Sequence, residues 1–272
     1  MERSGKCYGN DMMKIWGVWL LAFLVVILPV ASCSVKEDRA GCPCVLELDF
    51  AGPYLEDAGF ADLLISSGTG VVWRDTVDMD RNRTGYSVAV PRTRLHVRAW
   101  TGTDGYLSDE CLRIPHGQDC PRVYMHDSDV LAEGETLGET VFLRKNHCVM
   151  TVMTEGEGKI AADLLVKGNV AGYDAVGRPL YGDFECHLDD SGLDDGYVVV
   201  LPRQTDASLM LVVDDGSDTH KAFALGQYIV SSGYDWTAAD LEDVTVTLDY
   251  ALTEIRMTIN GWEGVYRYDM EI

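Results

Sequence analysis

From Cys44 onward, apolar and polar residues alternate in short bursts. In CVLELDF (44–50), Leu46, Leu48 and Phe50 fall on one side and Glu47 and Asp49 on the other, the period-two pattern of a half-buried strand. The same pattern predicts strands at YSVAV (86–90), RLHVRAW (94–100), TVFLRK (140–145), CVMTVMT (148–154), YVVVL (197–201), LMLVVDD (209–215), VTVTLDY (244–250), IRMTIN (255–260) and GVYRYDMEI (264–272). Gly, Pro and Asp turns separate these Val-, Thr- and Tyr-rich segments, as in β-sandwiches. Helical spacing surfaces only at EDAGFADLL (56–64) and TAADLED (237–243). An all-β chain is expected.

The strands repeat. CVLELDF from Cys44 matches CVMTVMT from Cys148, and VAVPRTRLHVRAW (88–100) matches VVVLPRQTDASLMLVVDD (198–215), with Pro91-Arg92 set against Pro202-Arg203. Both pairs keep the order opening strand, then strand–Pro-Arg–strand, and proline ends a strand because it cannot donate to the ladder. The repeat predicts two sandwich domains, 44–143 and 144–272, with the boundary near Arg144.

Ahead of the strands lies a different pattern. An apolar run, Ile15 to Val30, follows Lys14 and ends in small residues. It is short for a spanning helix, which needs about 20 apolar residues, and it has the form of a signal peptide over residues 1–32. Met12 and Met13 offer alternative starts. VASC (30–33) has the form of a lipobox, so Cys33 is expected to carry a covalent lipid; the plainer alternative is an ordinary secretory signal with Cys33 near the cut. Several acyl chains on one cysteine anchor stably where a single chain does not. Lys36, Glu37 and Asp38 follow within the acidic linker 33–43 and have the form of an export signal to the outer face of the outer membrane; the alternative is a plain charged linker.

Charge narrows the partners. Without residues 1–32, which hold three basic and two acidic residues, 19 basic and 42 acidic residues remain, a net charge of −23. So acidic a surface argues against nucleic acid as a partner. Cys42, Cys44, Cys111, Cys120, Cys148 and Cys186 are candidate disulfide cysteines in an exported chain. Cys111 and Cys120 flank a loop that a bridge would close, and Cys42 and Cys44 are too near for an easy mutual bridge.

The order and spacing of CSVKEDRAGCPCVLELDF, VYMHDSDV (123–130), VFLRKNHCVMTVMT (141–154), VVVLPRQ (198–204) and DLEDVTVTLDYALTEIRMTINGW (240–262) resemble the FimB/Mfa-type fimbrial anchor lipoprotein family of Bacteroidetes, the type V pilus anchor and accessory subunits. The resemblance covers essentially the whole mature chain and implies two tandem transthyretin-like β-sandwiches, carried on an acylated Cys33 in the outer membrane and facing the cell exterior. Its implied partners are fimbrial stalk subunits, engaged through strand edges, and its only attached group is the lipid on Cys33. With GVYRYDMEI (264–272) closing the sequence, the chain is expected to receive or cap rather than donate a strand; the alternative is that this strand completes its own domain.

Other constellations are weaker. No G-x-S-x-G, H-E-x-x-H or P-loop occurs, and no enzyme or metal site is expected. DMDRNRTG (78–85) opens like a calcium loop but has Arg83 where glycine is required, so it reads as a polar turn. HLDDSGLDDG (187–196) and DDGSD (214–218) read as hairpin turns. His147-Cys148 and Cys186-His187 form a mirrored pair that admits a Cys–His nucleophile, a Cys148–Cys186 disulfide or two buried thiols. Trp73, Trp100, Trp236 and Trp262 would form a stacking platform in the alternative function, a surface glycan-binding lipoprotein.

Overall fold

The structure, a computed structural model, describes residues 41–52, 54–55, 58–82, 84–103, 105–108, 111–155, 163–190, 196–214, 221–249, 254–259 and 262–267. The signal peptide, Cys33, Lys36, Glu37 and Asp38 lie outside the described residues, as do most of DDGSD and the middle of HLDDSGLDDG.

The chain is all-β and builds two sandwiches. In the first, β1 (Cys44–Ala51) lies between β4 (Thr84–Val90), antiparallel to it, and β9 (Thr136–Phe142), parallel to it. The opposing sheet runs β10-β8-β5-β2-β3, from β2 (Phe60–Ser67), β3 (Gly70–Asp78), β5 (Arg94–Thr101), β8 (Tyr124–Leu131) and β10 (Arg144–Lys145). Leu46, Leu48 and Phe50 of β1 face Leu63, Ile65, Leu95 and Val97 in one buried cluster, so the alternation in CVLELDF is the side-chain period of a strand with one covered face. Each such side chain contributes about 1.5–3 kcal/mol by leaving water.

The second sandwich repeats this plan. Its β11 (His147–Glu155) lies between β15 (Gly196–Pro202), antiparallel, and β18 (Val244–Asp249), parallel. Cys44 pairs with Val90 in the first half and Cys148 with Leu201 in the second, so the matched cysteines occupy matched rungs. The opposing sheet joins β17 (Lys221–Phe223), β16 (Met210–Asp214), β12 (Asp163–Tyr173), β7 (Cys111–Arg113) and β6 (Leu107–Ser108), with β13 (Pro179–His187) also on β12. Here β13, β12, β16 and β17 take the places of β3, β2, β5 and β8. Around Met150, Val152, Val166, Leu211 and Val246 a second core forms, which also takes in Trp100, Leu112 and Met125.

Three departures separate the halves. The β6–β7 hairpin leaves the first half's β5–β8 connection and pairs with β12 of the second. Gly172, at φ +147, allows this, because a Cβ there would sit 2.0 Å from the Leu112 carbonyl oxygen. The first half joins β8 to β9 by residues 132–135, whereas the second joins β17 to β18 through a helix, Leu225–Ser231, and a long loop. Finally β14 (Asp189–Asp190) flanks β15, and β19 (Glu254–Ile259) and β20 (Trp262–Arg267) extend the sheet beyond β18.

Two sequence expectations are corrected. EDAGFADLL is not helical over its described part: β2 begins at Phe60. Ala61, Leu63 and Ile65 face the core while Leu64 is buried on the opposite side, and burial on both faces produces the mixed apolar run that resembles a helix. TAADLED is likewise irregular. Its acids serve as tethers: Asp240 accepts from the Lys145 N–H and from Arg144, and Asp243 from Lys145 and the Val149 N–H.

Candidate functional site

A sheet edge is an open template for another chain, so the candidate site is the set of edges. The outer edge of β9 is the principal one. Leu143 N–H donates to Ala51 and the Glu135 carbonyl accepts from Val45, which turns odd-numbered residues of this strand toward β1. Thr136, Gly138 and Thr140 therefore present their backbone groups outward, and all three are exposed. The fourth outward donor, Phe142 N–H, is covered by His126 Nδ1 at 3.1 Å. That bond fixes the neutral tautomer: Nε2–H faces Ser128 Oγ at 3.0 Å, and the hydroxyl donates to Glu139 at 2.8 Å. Burial lowers the His126 pKa, against the pull of Glu139, so the ring stays neutral and its Nδ1 lone pair remains available as a cap. In the second half β19 occupies the corresponding edge, pairing Val246 with Ile259 and Leu248 with Met257.

The opposite flank of the first sandwich is stapled. Trp73 of β3 donates through Nε1 to the Tyr86 hydroxyl of β4 at 2.8 Å, and that hydroxyl donates to Asp75 at 2.6 Å. Burial and the Asp75 hydrogen bond raise the Tyr86 pKa to about 12. Trp73 is still 40% exposed beside Val71 at 55%.

The Pro-Arg repeat diverges in use. Arg203 donates to Asn146 Oδ1 and to the carbonyls of Trp236 and Ala238, while its N–H donates to the Tyr173 hydroxyl. In the first half no long loop follows β8, and Arg92 Nε and Nη2 are buried with no acceptor.

The six candidate disulfide cysteines, Cys42, Cys44, Cys111, Cys120, Cys148 and Cys186, are unbridged in this structure. Cys44 and Cys148 serve separate cores, and Cys186 instead donates to Asp119 at 3.0 Å. The mirrored Cys–His pair does not assemble a nucleophile. Burial raises the Cys148 pKa to about 12 and, with Asp119, raises that of Cys186, and a thiol held protonated is inert. His147, whose pKa burial lowers to about 4, lies 3.1 Å from the Val123 carbonyl, to which Nδ1–H donates.

The tryptophans do not form a platform. Trp100 and Trp236 are buried, Trp73 stands alone on β3, and the Trp262 side chain lies outside the described residues. DMDRNRTG, expected as a polar turn, instead holds a single helical turn, Met79–Asn82, with Met79 buried and Asp78 accepting from the Asp80 and Arg81 N–H groups. Among the described residues no helix is long and apolar enough to cross a membrane.

No protein-family model and no curated protein sequence matches the chain. Solved structures do. The fimbrial anchor protein Mfa2 from Porphyromonas gingivalis aligns over 84% of this chain and 100% of its own with a TM-score of 0.66 at 12% identity. This chain shares its fold. A candidate adhesin from Bacteroides ovatus aligns over 88% of this chain and 100% of its own (TM-score 0.61, 12% identity). A candidate polysaccharide-binding protein from Bacteroides thetaiotaomicron aligns over 84% and 99% (TM-score 0.61, 13% identity). The two-sandwich fold expected from the sequence is thus one that this chain shares with all three of these proteins.

Proposed function

We propose that this protein is a non-enzymatic fimbrial subunit of the cell surface that anchors a fimbria. A lipid on Cys33 holds it in the outer membrane, the acidic linker 33–43 lets it stand off the surface, and the outer edge of β9 receives a strand from a fimbrial subunit. The observation that carries this reading is the contrast between β9 and β18. Both flank the central strand of their sheet in parallel, yet β18 is covered by β19 and β9 is the last strand of its sheet among the described residues. What covers β18 indicates what fits β9: an antiparallel strand whose main chain supplies the affinity and whose alternate side chains supply the register. The full-length likeness to the Mfa2 anchor supports the same reading. A glycan-binding role would need an aromatic platform, and two of the four tryptophans are spent in the core.

The test is Thr140→Pro, which removes one outward N–H without touching β1; proline is tolerated on edges. Purified from detergent-treated cells, the variant should remain in the membrane and lose its fimbrial subunits. Unchanged co-purification would sink the β9 reading. Cys33→Ala should release the protein into the medium, and its persistence in the membrane would remove the lipid from the account.

A further inference from the structure

Each sandwich has a face turned away from its own core, made by β2, β5 and β8 in the first half and by β12, β16 and β17 in the second. In the first half that face is covered over β5 and β8, and a hollow of about 420 Å³ remains beside Leu64 and Arg74. The turn Asp174–Arg178 between β12 and β13 lies on it, with Arg98 Nη1 donating to the Ala175 carbonyl. Gly177, at φ +76, comes so close that a Cβ would stand 2.7 Å from Met125 Cε. Leu64, Arg98, Trp100 and Met125 are buried although they point away from the first core.

In the second half the corresponding face is open among the described residues. Leu165, Met210 and Val212 are half-buried and Ala222 is exposed around a hollow of about 460 Å³, rimmed by Asp163 and Asp214. An apolar hollow with a polar rim marks an interaction site. The molecule itself supplies the template for its occupant. The turn that covers the first half's face is the first hairpin turn of the following sandwich, and its counterpart in the first sandwich is the β2–β3 turn, Ser67–Gly70. In this chain Gly68, Thr69 and Gly70 of that tip are exposed, and among the described residues a Cβ on Gly68 or Gly70 would meet no heavy atom within 4 Å.

We infer that the outward face of β12, β16 and β17 is the socket for the first hairpin turn of the next fimbrial subunit, a chain of this same two-sandwich fold. This rests on the anchor reading above and adds to it a second contact, distinct from β9. The packing of sandwich on sandwich within the chain then continues between chains. Such a head-to-tail contact does not close on itself and so propagates a filament. A second copy of this protein is the competing occupant, and the identity of the linked peptide distinguishes the two.

The experiment places p-benzoylphenylalanine at Val212 in one strain and at Thr140 in another, irradiates intact cells, and identifies the linked peptides by mass spectrometry. The expected result at Val212 is a link to the first hairpin turn of a two-sandwich fimbrial subunit. Val212→Arg should lower co-purified fimbrial subunit roughly tenfold, the effect of about 1.4 kcal/mol. A fimbrial subunit captured from Thr140 but not from Val212 overturns the socket and leaves the anchor reading standing. A link from Val212 to a second copy overturns the socket's assignment, and no fimbrial subunit at either probe overturns both.

Discussion

The two sandwiches share one ground plan and differ in what is done with its loose ends. Each sets a central strand between an antiparallel and a parallel neighbour and places an arginine after the proline that ends the antiparallel strand. In the second half three of these are tied. Beside β18 lies β19, Arg203 is held by Asn146 and the loop carbonyls, and Asp240 and Asp243 clamp Arg144 and Lys145. In the first half β9 ends its sheet, Arg92 has two buried nitrogens with no acceptor, and Trp73 and Val71 are exposed. The difference teaches where to look for partners. The open edge of β9 is where strand addition is proposed, and the open outward face of the second half is where the socket is proposed.

The comparison is most sharply broken by detaching the segment that the halves share. Gly172→Ala pushes a methyl into the Leu112 carbonyl and should separate β7 from β12, costing roughly 4 kcal/mol in urea unfolding; a loss below about 1 kcal/mol would mean that the β6–β7 hairpin is only loosely held. Next comes the arginine pair. Arg203→Ala removes three hydrogen bonds from a charged donor and should cost about 3 kcal/mol, whereas Arg92→Ala should stay within about 0.5 kcal/mol. Equal losses would show that the two positions are equivalent after all.

Acid should weaken the junction at the start of the second half. The folded His147 pKa, about 4, lies below its ordinary value of 6.5 because burial disfavours the charged ring. The unfolded chain therefore binds the proton first. The contribution is fully present above pH 6.5 and is lost as pH falls toward 4, by up to about 3 kcal/mol. His147→Gln should flatten unfolding free energy over that window, and an unchanged slope would assign the acid sensitivity elsewhere. Smallest is the staple on the first half: Tyr86→Phe leaves Trp73 and Asp75 without their shared hydroxyl and should cost about 1 kcal/mol. Wider β3–β4 fluctuation by hydrogen exchange should accompany it, with the second half unaffected.

Much of the fold is legible in the sequence because strands with one covered face alternate visibly. CVLELDF and CVMTVMT announce the two central strands, and the Pro-Arg pairs announce that the plan is repeated. Reading failed where burial is two-sided or contacts are remote. Leu64 looked helical because a turn from the second half covers the face it lies on. No local pattern announces the helices Met79–Asn82 and Leu225–Ser231, or the strands β3, β8, β12 and β13. Of the functional edge, the sequence marks β9 only by its closing residues in TVFLRK. Nothing local says that β18 would be covered and β9 left open, or that His126 would cap Phe142.

By itself, then, the sequence determined an all-β chain in two repeats, since side-chain period and turn residues are local properties of a strand. Only the tertiary structure decided which edges are satisfied and which face is covered. Those outcomes depend on hydrogen-bond partners more than ninety residues apart in the chain, such as Met150 of β11 and Val244 of β18, and no local pattern encodes a distant partner.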